Sequence, residues 1–346
     1  MRSPFETTRH LLVIQPLVGI GDMVWHKPWI DELSGRYRLT LACKPTTFPD
    51  VLFPASEHPQ LNTLIIERSL RGRKGRHDGL SGFLRLVADF RRTGADTAIL
   101  MHHSARYALA ARLAGIKVRL GYGLKKSGRH LNAGTMLTDT EMRGVHAVDR
   151  IALFASRNGF GLENPEWRLT PQPQDMTTAS VMLRDHNIIT SGGTITPYFI
   201  FGIDAMHDER CWKAERFAAL ADMLADSSLN RPVILLHAPS SRPVAEKIRE
   251  MSARHQQLII LNTSFGEAVA LMSLSSGFIG NDSAPLNIMA CLSKPALGLF
   301  SQSQPLTYSP HIHSLDMFTS SDYGTPGLIH RIPPEAVFSR MSQIWS

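Results

Sequence analysis

Gly277-Phe278-Ile279-Gly280-Asn281-Asp282-Ser283-Ala284-Pro285-Leu286-Asn287-Ile288-Met289-Ala290, closed by Lys294-Pro295-Ala296-Leu297-Gly298-Leu299-Phe300, decides the fold. A short apolar run, a polar turn, a helical pattern and a second apolar run follow one another: strand, turn, helix, strand. Ser283 suits an N-cap and Pro285 the first helical turn, where a missing N–H costs nothing. Leu286, Met289 and Ala290 then share one helix face. Such a helix start presents unpaired backbone N–H groups and a positive dipole end, which suits a phosphate. Asp282 beside it would repel phosphate, so its carboxylate is expected to accept hydrogen bonds from sugar hydroxyls or backbone amides. An ordinary capped turn fits the same residues equally well.

The same alternation runs through the whole chain of 346 residues. It argues an α/β protein built as two domains, each with mainly parallel strands and helices between them. In the first domain, 1–170, strands are expected at 11–15, 38–42, 63–66, 97–100 and 118–120, with helices at 22–34, 80–93, 104–114 and 145–158. Tyr107, Ala110, Ala111 and Ala114 share a face whose small side chains suit close packing on a sheet, and Gly115 suits the stop. Residues 162–176 hold Pro165, Pro171 and Pro173 and little periodicity, which reads as an interdomain linker. The second domain, 175–330, repeats the pattern with strands at 198–201, 233–236, 258–261, 278–280 and 296–299. Phe217, Leu220, Ala221 and Leu224 mark one of its helices, and Ser264 with Glu267 reads as a capping box. An amphipathic helix near 334–344, within 331–346, is expected to cross back to the first domain.

Composition narrows the partners. Hydrophobic residues make up 43% of the chain, enough for sizeable cores, and no apolar run approaches the roughly 20 residues of a membrane span. The start of the chain lacks the long apolar segment of a signal peptide. Cys43, Cys211 and Cys291 are scattered, so neither a disulfide framework nor a zinc knuckle is suggested, and a reduced, cytoplasmic location is the default. Net charge is +7, which favours an anionic partner. It concentrates in two runs, Arg68, Arg71, Arg73, Lys74, Arg76 and Lys125, Lys126, Arg129, His130. No aromatic residues interleave with either, which argues against nucleic acid; two solvated loops are the plainer alternative.

Ligands of doubly wound sheets bind outside the carboxyl ends of the strands. Gly19-Ile20-Gly21-Asp22 lies there in the first domain. Arg210-Cys211-Trp212 and Asp282-Ser283 lie there in the second. Gly19 and Gly21 permit a tight turn and close approach of a ligand to the backbone. The dinucleotide fingerprint is incomplete, because its third glycine is replaced by Val24. Asp22 suits two roles, an N-cap or a general base that takes a proton from an acceptor hydroxyl. Pro28 breaks the helical rule nearby. Arg210 could neutralise a diphosphate leaving group, or pair with Asp208 or Glu209. His102-His103 and His311-x-His313 lack a third ligand at metal spacing. No Asp-x-Asp, no Gly-x-Ser-x-Gly and no Walker loop occurs in the chain.

These motifs together resemble glycosyltransferase family 9, the bacterial ADP-heptose–lipopolysaccharide heptosyltransferases. Gly19-Ile20-Gly21-Asp22 with Pro28 and Leu33 is similar to the family's first motif. Lys117-Val118-Arg119-Leu120-Gly121-Tyr122-Gly123 resembles its mid-domain strand and glycine turn. Arg210-Cys211-Trp212-Lys213-Ala214-Glu215-Arg216-Phe217 is similar to its basic-x-Trp-x-x-Glu-x-Phe motif. Asn281-Asp282-Ser283 through Lys294-Pro295 and Phe300 resembles the signature near the donor site.

The resemblance implies a GT-B fold, two Rossmann-like doubly wound domains facing a central cleft, and an inverting, metal-independent transfer with no cofactor. Asp22 would be the catalytic base. Gly19, Gly21, Arg210, Asp282, Ser283, Ala284 and Asn287 would meet the nucleotide-sugar donor. Arg73, Lys74, Lys125, Lys126 and Arg129 would face an anionic lipopolysaccharide or related glycan acceptor, at the cytoplasmic face of the inner membrane. Departures fall in the donor half. The family usually has Gly and His where this chain has Ala284 and Asn287, and Asn carries neither a proton nor a positive charge. The stretches His237-Ala238-Pro239-Ser240-Ser241 and Gly202-Ile203-Asp204-Ala205 also differ from the family's pattern. These differences bear on the donor more than on the reaction type. Another nucleotide sugar, a protein acceptor or a non-catalytic sugar-nucleotide binder are the alternatives.

Overall fold

Leu11, Leu12, Val13 and Ile14 are apolar without alternation, which demands cover on both faces of a strand. In the computed structural model, which describes residues 5–69, 74–205 and 207–345, that strand is the centre of a parallel sheet. The chain divides into two units, Met1–Glu166 and Trp167–Ser346.

In the first unit β1 (His10–Gln15), α1 (Ile20–Arg36), β2 (Arg38–Cys43), α2 (Pro49–Leu52), β3 (Leu61–Ile65) and α3 (Gly79–Thr93) lead the chain outward on one side. β4 (Thr97–Leu100), α4 (Ala105–Leu113), β5 (Val118–Gly121), α5 (Asp139–Met142) and α6 (Ala147–Arg157) follow on the other. The strand order is β3-β2-β1-β4-β5, and every pair is parallel, with Leu12 opposite Thr40 and Ala98. Leu12 and Ile14 pack with Leu86 and Phe90 of α3 and with Tyr107, Ala110 and Ala111 of α4, as the small-residue face predicts. Gly115 continues beyond α4 with φ +85°, a left-handed stop that glycine takes without strain. Leu11 and Val13 are as fully buried as their neighbours.

The second unit runs α7 (Pro173–Asp185), β6 (Phe199–Gly202), α8 (Ala214–Ala225), β7 (Val233–Leu236), α9 (Arg242–Met251), β8 (Leu258–Ile260) and α10 (Phe265–Leu274). It ends with β9 (Gly277–Asn281), α11 (Ala284–Cys291), β10 (Ala296–Leu299), β11 (Ile312–His313) and α12 (Pro334–Trp345). The stretch quoted first is therefore β9-α11-β10. The sheet is parallel with order β11-β10-β9-β6-β7-β8. Gly202 and Gly280 stand opposite each other in β6 and β9, and a Cβ on Gly280 would strike the Gly202 backbone. The expected capping box of α10 is formed by Ser264 and Glu267.

Two expectations are corrected. The proline-rich segment does not stay a linker beyond Glu166. Trp167 packs its ring on Tyr308 at 4.6 Å, Leu169 N–H donates to Cys291 O at 3.0 Å, and α7 lies against α10. Two apolar anchors without periodicity strap it to the second unit. The C-terminal helix is likewise a member of the second unit. Val337 and Met341 enter the core of α8 with Phe217 and Leu220, and Trp345 meets Phe199 edge-on at 5.2 Å. Trp345 Nε1–H also donates to Ser276 O at 3.0 Å. Among the described residues no helix is long and apolar enough to cross a membrane.

Candidate active site

In each unit one central strand has neighbours that lead the chain in opposite directions: β1 between β2 and β4, β6 between β7 and β9. Their carboxyl ends are where ligands of such sheets bind. The first unit's turn is built on Gln15, whose Oε1 accepts from Leu17 N–H at 2.9 Å as the chain leaves β1. Gly19 is the N-cap of α1, and Asp22 is its third residue. Of the two roles open to Asp22, the N-cap is thus taken by Gly19. The carboxylate folds back over that glycine: a Cβ at Gly19 would lie 2.5 Å from Asp22 Oδ2. The Gly19 amide bonds to the carboxylate and favours its charge, but burial outweighs this bond and raises the Asp22 pKa above the usual carboxylate value. No ion pair to Asp22 forms among the described residues.

His26 follows one helical turn later and is buried. Its Nδ1 lies 2.6 Å from Asp22 O and its Nε2 lies 3.1 Å from the Tyr122 hydroxyl, just past β5. Burial depresses the His26 pKa to about 4. His102 and His103 stack at 4.3 Å after β4. His102 is also depressed to about 4, by burial and then by His103, His26 and Lys125, whose positive charge would oppose its own. The carboxyl ends of β1, β4 and β5 thus gather one carboxylate amid imidazoles and Lys125. Of the expected acceptor residues, Lys74, Lys125, Lys126 and Arg129 are exposed, and Arg73 lies outside the described residues. Two members of the first basic run have structural partners: Arg68 with Asp78 at 3.4 Å and Arg76 with Asp89 at 3.2 Å.

In the second unit Asn281 is the buried hinge pin. Its Nδ2–H donates to Ile203 O at 2.9 Å and its Oδ1 accepts from Trp212 N–H at 2.8 Å, so the loop after β6 is tied to the end of β9. That tie brings Arg210 to Asp282. Arg210 Nη2–H donates to Asp282 Oδ2 at 2.6 Å and to its backbone oxygen at 2.9 Å, and Ser303 Oγ–H donates to Oδ2 at 2.7 Å. The pair cancels the negative charge that would otherwise face an anion at the start of α11. Ser283 occupies the N-cap position, but its hydroxyl makes no cap bond and its Oγ is buried without a partner. Ala284 opens the helix and Pro285 follows.

Asn287 is not presented to solvent, being only 2% exposed. Its Nδ2–H donates to Ser283 O at 3.1 Å and its Oδ1 accepts from the Tyr308 hydroxyl at 2.7 Å. The structure therefore joins Asp22 to Gly19 in one unit and Arg210, Asp282, Ser283 and Asn287 in the other. His26, Ser303 and Tyr308 escaped the sequence. His26 had a usable signal, its four-residue spacing from Asp22. Tyr308 and Ser303 sit in the loop beyond β10 and had none. Among the described residues no three His, Cys, Asp or Glu side chains gather as a metal site.

The family model for "Glycosyltransferase family 9 (heptosyltransferase)" matches residues 83–328. Lipopolysaccharide heptosyltransferase 3 of Escherichia coli (strain K12) is 24% identical over 320 residues, 88% of this chain and 86% of that protein. The solved structure of E. coli ADP-heptose lipopolysaccharide heptosyltransferase II has TM-score 0.74 and 21% identity, covering 97% of this chain and 98% of that one. A glycosyl transferase family 9 protein from Veillonella parvula DSM 2008 has TM-score 0.77 and 19% identity, covering 97% of both chains. The two structural likenesses show a shared fold, the GT-B type expected from the motifs.

Proposed function

Because the chain belongs to glycosyltransferase family 9, we propose that it transfers heptose from ADP-heptose to an inner-core lipopolysaccharide acceptor, with inversion and without a metal. That it is a glycosyltransferase of the heptosyltransferase type follows from membership. The acceptor and donor are supported by the relatives, one named for lipopolysaccharide and heptose and one for ADP-heptose. The observation that carries the mechanism is Asp22: a carboxylate at the end of β1, raised in pKa by burial and held by its own glycine turn. Ionised, it takes the proton of the acceptor hydroxyl as that oxygen bonds to the anomeric carbon. The bond from that carbon to phosphate breaks, and its electron pair leaves with the nucleoside diphosphate. Arg210 and the first turn of α11 stabilise the departing charge. Asp282, neutralised by Arg210, and Ser283 meet the donor's sugar and phosphates. Gly19, Gly21 and Ala284 let it approach the backbone. Lys74, Lys125, Lys126, Arg129 and Arg73 draw the anionic acceptor, and the protein works peripherally at the cytoplasmic face of the inner membrane.

Full-length chain incubated with ADP-heptose and heptose-free lipopolysaccharide is expected to yield acceptor one heptose heavier by mass spectrometry, with the anomeric configuration opposite to the donor's by NMR. Absence of transfer together with no thermal stabilisation by ADP would end the proposal. Asn287, in place of the family's usual His, favours one second reading, a different nucleotide sugar. Turnover with a UDP- or GDP-sugar alone would establish it.

A further inference from the structure

The first turns of α1 and α11 carry one device in two chemistries. Four residues past Asp22, the His26 side chain turns back to the Asp22 carbonyl at 2.6 Å. Four residues past Ser283, the Asn287 side chain turns back to the Ser283 carbonyl at 3.1 Å. A tyrosine from a separate segment closes each: Tyr122 on His26 at 3.1 Å and Tyr308 on Asn287 at 2.7 Å. Each tyrosine is itself wedged by an aromatic ring, Tyr122 by Phe154 at 5.2 Å and Tyr308 by Trp167 at 4.6 Å. The hydrogen-bond chemistry fixes the His26 tautomer. A carbonyl oxygen only accepts, so Nδ1 carries the hydrogen. Nε2 is then a lone pair, and the Tyr122 hydroxyl donates to it.

We infer that His26, locked by Tyr122, is the positioning residue that fixes the direction of the Asp22 carboxylate. The inference rests on the proposed role of Asp22 as base. A helix start is its least restrained part, since its first amides have no intrahelical partner. Bonding the Asp22 carbonyl from the side pins the peptide plane that carries the carboxylate. Small misplacements of a reacting group lower rates steeply, on the order of 100-fold for 1 Å. The buried imidazole fills the space against the Asp22 carbonyl, so removing it would open that space to water. The groups whose charge acts on His26 are Arg150 and His146 of the α6 segment, and both disfavour its protonation.

The test uses the full chain with ADP-heptose and heptose-free lipopolysaccharide, comparing His26→Leu, His26→Asn and Tyr122→Phe. His26→Leu is expected to lower kcat by about 30-fold, leave the donor KM within about twofold, and move the acid limb of the kcat profile to lower pH. His26→Asn should recover most of the rate, because asparagine makes this same back-bond at position 287. Tyr122→Phe should lower kcat by about fivefold. A His26→Leu enzyme with near-normal kcat and an unmoved acid limb overturns the inference, as does equal loss in the Leu and Asn variants. One readout needs no turnover. The side-chain ¹⁵N shifts of wild-type His26 should show a neutral Nδ1–H ring that does not titrate above pH 5. Titration near 6.5 overturns the brace. Lack of transfer by the wild type would count against the function alone.

Discussion

The two units turn the same corner with opposite electrostatics. In the first, the acid at the helix start has a raised pKa, no ionic partner among the described residues, and a neutral histidine bonded to its carbonyl. In the second, Asp282 is matched by Arg210 and Ser303, and the Ser283 carbonyl beneath it is held by an amide that a phenol closes. A carboxylate that must take up a proton gains from a raised pKa, which burial supplies and a guanidinium would remove. A site that must hold an anion needs fixed neutral or positive groups with no titration of their own. The contrast supports the proposed division, proton transfer at the first turn and charge holding at the second.

The largest effect should come from breaking the first turn's chemistry without its shape. Asp22→Asn keeps the volume and can still meet the Gly19 amide, but it cannot accept a proton. We expect kcat to fall by about 1000-fold with ADP binding unchanged by thermal shift. A variant within tenfold of wild type removes Asp22 from the base role and collapses the contrast.

The next effect is one of stability and sharpens the same contrast. His26 is held near pKa 4 in the native state, against about 6.5 when unfolded. Its native pKa is lowered and its native form is neutral, so between these values the unfolded chain binds more protons. The stability is complete above about pH 6.5 and is lost as pH falls toward 4, by about 3 kcal/mol at most. Asp22, with a raised native pKa, acts in the opposite sense as acid is added. Melting temperatures of wild type and His26→Leu measured from pH 7 to pH 4.5 should converge, because the variant lacks the buried imidazole. Parallel curves would show that His26 is already exposed to protons.

In the second unit, Arg210→Ala leaves the mostly buried Asp282 carboxylate beside the anion site without its cation. We expect ADP to bind about 30-fold more weakly and the apo protein to lose about 2 kcal/mol of stability. Removing both charges, as Arg210→Ala with Asp282→Ala, should restore much of the stability but not the affinity. An affinity loss equal to zero in the single variant would detach Arg210 from the donor.

The fold was legible because parallel strands buried on both faces print as continuous apolar runs, and β1, β4, β7 and β10 were located on that signal alone. Turn chemistry likewise marked Asp22, Arg210 and Asp282 as residues beyond strand ends, since glycines and helix starts leave a mark in one dimension. The misplaced parts lack such a mark. Trp167 and Leu169 anchor an aperiodic strap, and the stripe of α12 says that it packs but not on what. The Arg210–Asp282 pair depends on Asn281 drawing two distant loops together, and Tyr308 reaches Asn287 only because of the path taken after β10. Resemblance to relatives suggested a donor contact for residue 287, and nothing in one dimension showed that its amide is buried and bonded to Ser283 O and Tyr308.

The smallest expected effect isolates that last point. Tyr308→Phe keeps the ring against Trp167 and removes only the hydroxyl, so the Asn287 oxygen loses a buried donor. The cost should be about 1–2 kcal/mol in stability and about threefold in ADP affinity, with kcat at saturating donor unchanged. Tyr122→Phe removes the equivalent hydroxyl in the first unit and should do the reverse, lowering kcat while sparing ADP affinity. If the two phenylalanine variants gave the same kinetic pattern, the division of labour between the turns would fail even with Asp22 and Arg210 correctly assigned. The crossed outcome, affinity in one and turnover in the other, is what a matched pair of braces under unlike chemistries requires.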